Sequence, residues 1–270
     1  MAREPVELEG ASIAGIETAI EVPSLKLVLD MGRCSRTAVN YANVVVSHGH
    51  LDHAGALPLH AARRALLNLS EPRYFVPKSI AAGIERLFNA AGELDGKPIA
   101  RRVVALEPGE EQRLSSRLSL RPFATFHRVP SQGYTVWERR HHLRPEFRGK
   151  PGPELALLRA RGVAIDEPHE VALLAFTGDT RVEVLERHEE LHTVETLIIE
   201  ASFLDQRVTA DEARAMGHIH LDELVARREL LRSPDVVLSH FSARYTPPEV
   251  RGFVAALPEE LRGRVRALLA

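Results

Sequence analysis

Short apolar runs recur along the chain, and most of them stop at a turn or at an ionisable residue. The runs at 44–46, 74–77, 118–120, 123–126, 171–176, 196–199 and 236–238 are rich in Val, Ile, Leu and Phe. Runs of that length, apolar on consecutive residues, predict strands buried on both faces. Residues 12–30 predict two short strands, followed by a turn at Met31-Gly32-Arg33-Cys34. Between the strands the spacing is helical. Residues 54–68 carry Ala and Leu at helical intervals, and Ser79 is placed to cap a helix over 80–94. Capping boxes at Thr209…Glu212 and Thr246…Glu249, the second with Pro247 at its first helical position, open two helices in the C-terminal third. Strands alternating with helices make this an α/β chain, with no internal repeat and no low-complexity linker.

Composition changes that picture little. A chain of 270 residues, 44% of them hydrophobic, can bury a full core in one domain spanning 1–270. A net charge of −2 gives no overall attraction to nucleic acid, so any such binding needs a local patch. Positive charge is carried mostly by arginine, since the lysines are Lys26, Lys78, Lys97 and Lys150 alone. The single cysteine, Cys34, excludes an internal disulfide and a cysteine-rich zinc cluster. Met1-Ala2-Arg3-Glu4-Pro5 has no apolar leader, and no run is long enough to span a bilayer. These features lead us to expect a cytoplasmic enzyme without membrane contact.

The candidate chemistry begins where the strand Val44-Val45-Val46 ends. His48, His50, Asp52 and His53 fall within six positions, and neutral imidazole with carboxylate suits zinc and its neighbours. Gly49 and Gly55 are expected to permit the backbone angles of a tight turn. A polar surface loop is the ordinary alternative, but a buried strand running directly into H-x-H-x-D-H points to a metal site. The helix after it would present amide N–H groups close to that site. His60, inside the helix, reads as a packed or surface histidine.

Five strands end in an ionisable residue, at His48, His127, Asp179, Glu200 and His240. A rigid sheet can aim loops from its strand ends, so this recurrence marks one site assembled from distant segments.

The H-x-H-x-D-H block resembles the signature of the metallo-β-lactamase superfamily, which implies an αββα sandwich of two mixed β-sheets flanked by helices. That fold hosts many reactions, and the rest of the chain must choose among them. Within the superfamily the sequence is similar to ribonuclease Z, in its short plant-type form, over nearly its whole length. The likeness is carried by Gly15-Ile16-Glu17-Thr18, Asp30-Met31-Gly32-Arg33-Cys34, Ser131-Gln132-Gly133-Tyr134 and Phe176-Thr177-Gly178-Asp179-Thr180. Its most selective parts are Glu200-Ala201-Ser202-Phe203, Gly217-His218-Ile219-His220 and His240-Phe241-Ser242-Ala243-Arg244-Tyr245.

The resemblance implies one metal on His48, His50 and His127, a second on Asp52, His53 and His240, and Asp179 as their bridge. A carboxylate has two oxygens and can bridge two cations, so Asp179 argues for two Zn2+ per chain, with Mn2+ or Fe2+ as other occupants. It implies further that water oriented by Asp52 attacks phosphorus, that His218 protonates the leaving 3′-oxygen, and that Glu200 orients His218. His220 reads as structural. The implied substrate is precursor tRNA, trimmed of its 3′ trailer, and the implied assembly is a homodimer. Two departures stand out: Ile199 replaces a histidine that many members carry, and the long Gly/Pro-rich RNA-gripping arm is missing.

A shorter basic insertion at about 134–170 takes the arm's place. It interleaves Arg139, Arg140, Arg144, Arg148 and Lys150 with Tyr134, Trp137 and Phe147, a composition suited to phosphate contacts and base stacking. A solvated basic hairpin has the same composition; the family resemblance favours RNA, and Arg244 joins these arginines as an RNA contact. Two other functions stay open. A small-molecule hydrolase of the same fold, such as a cyclic-nucleotide phosphodiesterase or thioesterase, would have no use for the insertion. A non-catalytic binding module would not need the intact ligand set.

Overall fold

The computed structural model describes residues 6–269, so the N-terminal Met1–Pro5 read above lies outside the described residues. Six strands in chain order begin the first sheet: β1 (Glu9–Ala14), β2 (Glu17–Val22), β3 (Leu27–Leu29), β4 (Asn43–Val45), β5 (Arg73–Pro77) and β6 (Arg102–Leu106). The next six belong to the second: β7 (Gln112–Arg113), β8 (Leu118–Ala124), β9 (Gln132–Leu143), β10 (Asp166–Phe176), β11 (Thr196–Glu200) and β12 (Asp235–Ser239). The chain then crosses back. β13 (Phe241–Ser242) pairs in parallel with β1 at the edge of the first sheet, and β14 (Val265–Ala267) pairs with β12 at the edge of the second. Both sheets mix parallel and antiparallel pairs, as expected.

The two-residue period of each strand sorts side chains into layers. From β4 and β5, Val45 and Phe75 face the second sheet, where they meet Tyr134, Val136, Leu174, Phe176, Ile198 and Val237. Their neighbours Val44, Tyr74 and Val76 face outward onto α2 (Leu57–Leu66) and α3 (Lys78–Asp95), against Leu57, Ala61, Ile84 and Phe88. On the other side Leu197, Ile199, Val236 and Leu238 pack beneath Val184, Leu185, Ile219, Leu224 and Val250. Each layer buries apolar side chains worth about 1.5–3 kcal/mol apiece. The result is helices, sheet, sheet, helices. Among the described residues, no helix is long and apolar enough to cross a membrane.

Several local expectations change. Residues 12–30 fall in three strands rather than two, because a 3-10 turn at Pro23–Leu25, closed by Lys26 at φ 51°, separates β2 from β3. The predicted helix over 54–68 is shortened to α2, with Pro58 near its start, and a separate single turn, α1 (Leu51–Ala54), precedes it. Ser79 lies inside α3; Pro77 precedes the helix, with no side-chain cap. The runs at 118–120 and 123–126 are joined in β8, which tolerates Pro122 because β7 stops opposite Ser119 and Leu120. Gly49 and Gly55 do not serve as left-handed hinges, for neither has positive φ. Both expected capping boxes form, and His220 with Glu223 makes a third.

The basic insertion is also drawn differently. Its first residues are core sheet: Tyr134 is buried, and its hydroxyl lies 2.9 Å from the Val46 carbonyl between the sheets. Trp137 lies under the Arg121 guanidinium, 4.7 Å from the ring centre. Tyr134 is thereby closed to a base, and one face of the half-buried Trp137 is covered. From about residue 139, β9 and β10 run on as a two-stranded arm, tipped by a 3-10 turn at Pro145–Phe147 and by α4 (Gly152–Ala160).

Candidate metal centre

All the predicted strand-end residues meet at one edge of the sandwich, between the two sheets. α1 is a single turn hydrogen-bonded back to His50, and that turn carries Asp52 and His53 inward. His127 lies on the loop after β8, Asp179 and Glu200 follow or end β10 and β11, and His240 joins β12 to β13. His240 is held at φ 59°, a left-handed conformation that costs a non-glycine residue of order 1 kcal/mol or more. Gly178 (φ +59°) has its own reason: a Cβ there would lie 2.4 Å from the Ser47 side chain, so only glycine lets Asp179 approach the first strand's loop.

The donor atoms fall into two groups around one carboxylate. Asp179 Oδ2 faces His48 Nε2 at 3.6 Å and His127 Nε2 at 3.9 Å, while His50 Nδ1 is 2.9 Å from His48 Nε2. Asp179 Oδ1 faces His53 Nε2 at 3.4 Å and His240 Nε2 at 3.3 Å, and Asp52 Oδ2 stands 3.5 Å from His53 Nε2. Oδ1 of Asp179 and Nε2 of His127 are buried with no hydrogen-bond partner, the condition of atoms shaped to hold something else. A divalent cation in each group would satisfy both. The residues fit the predicted pair of metals.

Outer contacts fix which nitrogen each ring turns inward. His48 donates through Nδ1 to the Ser47 hydroxyl, which donates to Asp30; His53 Nδ1 donates to Asp30 directly, at 2.7 Å. His240 donates through Nδ1 to the Ser202 hydroxyl, which donates to Glu200. His127 Nδ1 donates to the Gly217 carbonyl at 2.9 Å. Each leaves Nε2 as the free ligand atom. Asp30 follows the same strand-then-acid pattern as the expected ligands, yet it is absent from the expected site, and the structure places it behind His53 and Ser47. Ser47, Ser202 and Gly217 carried no such signal.

Electrostatics agree with a cation site. Burial keeps His48, His50 and His127 neutral at ordinary pH, so their lone pairs are available. Burial alone would raise the Asp52 and Asp179 carboxyls, but the surrounding imidazoles hold both well below the usual range. Burial should lower the pKa of His53, yet Asp179, Asp30 and Asp52 push it up to about 9, the same pull that these carboxylates would exert on a cation.

Glu200 and His218 sit beside the two groups rather than in their centre. His218 Nδ1 is 3.1 Å from Glu200 Oε1, and its ring stacks 5.3 Å from that of His240. His220 is buried, caps the short helix Leu221–Ala226, and is structural as expected. His60 is packed, 2.8 Å from the Tyr74 hydroxyl. Arg244 is exposed at the rim, its guanidinium 6.0 Å from the Phe203 ring, which packs edge-on to His218. The arm's arginines lie away from this cluster. Arg140 is taken up by Glu195, through both carboxylate oxygens, and by Glu138, which removes it from the set of free phosphate contacts. Arg139 and Arg148 are exposed and Arg144 is half-buried.

Residues 28–241 match the model of the β-lactamase superfamily domain. The chain is 39% identical over 267 residues to tRNase Z TRZ1 of Arabidopsis thaliana, covering 98% of this chain and 95% of that one. It is 35% identical to the chloroplastic tRNase Z TRZ2 of the same plant, over 97% of this chain and 75% of the other. The crystal structure of the short form of human tRNase Z shares the fold, with a TM-score of 0.61 at 18% identity, over 88% of this chain and 92% of that one. Superfamily match, near full-length identity and shared fold agree with the ligand geometry, and the chain belongs to the tRNase Z family of the β-lactamase superfamily.

Proposed function

We propose that this protein is an endoribonuclease that removes 3′ trailers from precursor tRNA, working with two zinc ions and leaving a 3′-hydroxyl on the tRNA. The observation that carries the reading is the Glu200–His218 pair, set against a complete double ligand set in a chain of this family. Cations held there would polarise the phosphodiester and make water a stronger nucleophile near neutral pH. His48, His50 and His127 would hold one, Asp52, His53 and His240 the other, with Asp179 shared.

The chain's own groups do the rest. Asp52 accepts a hydrogen bond from the Gly15 amide at 2.9 Å, which fixes its carboxylate to orient the attacking water. Burial would lower the pKa of His218, but the Glu200 carboxylate outweighs it and raises it to about 9, so His218 carries a proton to give. That proton goes to the 3′-oxygen as its bond to phosphorus breaks. Arg139, Arg144, Arg148 and Arg244 supply phosphate contacts outside the reacting centre.

A homodimer and a cytoplasmic location belong to the same proposal. Exposed Leu59 and Leu66 share one face of α2, and exposed Leu67 and Leu69 follow it, giving a patch that a second copy could cover. The test is incubation of purified protein with a 3′-extended tRNA and with bis(p-nitrophenyl) phosphate. Cleavage of both, abolished by chelation, is expected. Cleavage of the small diester alone would favour a small-molecule phosphodiesterase of the same fold.

A further inference from the structure

Beside the metal centre stands a positive charge that no ion pair explains. Arg128 follows the ligand His127, is exposed, and its side chain has no hydrogen bond or ion pair among the described residues. Its stem lies over Gly217: a Cβ added there would come within 3.0 Å of both Arg128 Cγ and His127 Nδ1. Glycine at that position (φ +82°) therefore seats the arginine between a metal ligand and the residue before His218. Its charge is felt at His50 and at His218. A guanidinium next to donors built for cations is repelled once those cations bind, unless an anion lies among them.

Phe126, two residues earlier, is 36% exposed. Its backbone is fixed on both sides: its N–H donates to Thr180 Oγ1 at 3.0 Å, and its carbonyl accepts from the Arg181 N–H at 3.0 Å. An exposed ring on a fixed backbone, two residues from an unpaired guanidinium, suits single-stranded nucleic acid, the ring stacking a base and the cation meeting a phosphate.

We propose that Phe126 and Arg128 form the subsite for the last nucleotide of the tRNA, the one whose 3′-oxygen leaves. Its base stacks on Phe126 and the phosphate on its 5′ side pairs with Arg128. The assignment to the tRNA side rests on the proposed cleavage, in which His218 protonates that oxygen. Arg128 lies against the residue preceding His218, so a group bound there is on the leaving-group side, and the trailer lies elsewhere.

Product inhibition tests this. Cleavage of a precursor tRNA is measured against each product separately: tRNA ending at the cut 3′-hydroxyl, and a trailer oligonucleotide bearing a 5′-phosphate. Arg128→Met keeps an apolar stem over Gly217 and removes the charge, Arg128→Lys keeps a charge, and Phe126→Leu keeps bulk without the ring. At matched metal content, Arg128→Met and Phe126→Leu should each raise the inhibition constant of the tRNA product on the order of tenfold. Arg128→Lys should fall between Arg128→Met and the wild type, and the trailer's constant should stay within about twofold in all three. An unchanged constant for the tRNA product in Arg128→Met, or a loss confined to the trailer, overturns the subsite. Failure of the proposed function looks different, because the wild-type protein would then not cleave the precursor at all.

Discussion

Both carboxylate oxygens of Glu200 lie at hydrogen-bond distance from Nδ1 of His218, at 3.1 and 3.2 Å. The carboxylate is itself held by the Thr180 and Ile219 amides and the Ser202 hydroxyl, so the ring it orients has little freedom. Neither residue is needed for the two ligand groups around Asp179. His218→Ala should therefore keep its metals yet cleave precursor tRNA roughly 10²–10⁴-fold more slowly, the usual worth of a positioned general acid. p-Nitrophenolate is a good leaving group and needs little protonation, so hydrolysis of bis(p-nitrophenyl) phosphate should fall much less. Glu200→Gln should show a milder form of the same pattern. Equal losses on the two substrates would remove the general-acid role.

The division of Asp179 between two histidine pairs predicts a metal phenotype. Oδ1 faces His53 and His240 while Oδ2 faces His48 and His127, so one substitution takes a donor from both groups. Elemental analysis of the wild type should find about two zinc-like ions per chain, and Asp179→Ala should hold clearly fewer. Full double occupancy in the variant would end the bridging assignment.

The arm gives a prediction in which neighbouring arginines behave differently. Replacing Arg139, Arg144 and Arg148 together by Ala should weaken precursor tRNA binding and flatten its salt dependence by about two in log–log slope, near 0.7 per phosphate contact. Arg140→Ala should instead cost about 1 kcal/mol or less of stability, through its lost pairs with Glu195 and Glu138, with little effect on the salt slope. Titrations of tRNA binding at several salt concentrations decide it. Unchanged binding in the triple variant would make the arm a solvated hairpin.

How much of this was legible in the sequence depends on which force sets each feature. The ligand residues could be found because metal donors must be polar, while the strands that deliver them must be apolar to fill a sandwich; that contrast is visible one residue at a time. Asp30 escaped because its partner, His53, is 23 positions away and only the fold brings them together. Arg140 could not be told from Arg139 by composition, since alternate residues of a strand face opposite sides and only Arg140 meets Glu195. Tyr134 looked like a stacking ring because aromatic side chains suit both RNA and cores, and the choice was made by the Val46 carbonyl waiting between the sheets.

The last prediction concerns a histidine that binds no metal. His60 is fully buried, with Nε2 3.3 Å from the Ala38 carbonyl and Nδ1 2.8 Å from the Tyr74 hydroxyl, which itself donates to the Leu57 carbonyl at 3.2 Å. Burial, reinforced by the charge of Arg64, lowers its pKa from 6.5 to about 4. Above about pH 6.5 the ring is neutral in both folded and unfolded chains and contributes no pH dependence. As pH falls below that value the unfolded chain takes up a proton that the folded chain refuses until about pH 4, so stability declines across this window. Between pH 7.5 and 5 the loss from this one residue should be about 2 kcal/mol. His60→Gln keeps a donor and an acceptor but cannot titrate. Urea unfolding of both proteins in the presence of chelator leaves the other histidines titrating alike, and the difference isolates His60. The variant should be less stable than wild type at pH 7.5 and lose less on acidification; parallel declines in the two proteins would show that the buried ring already accepts its proton without cost.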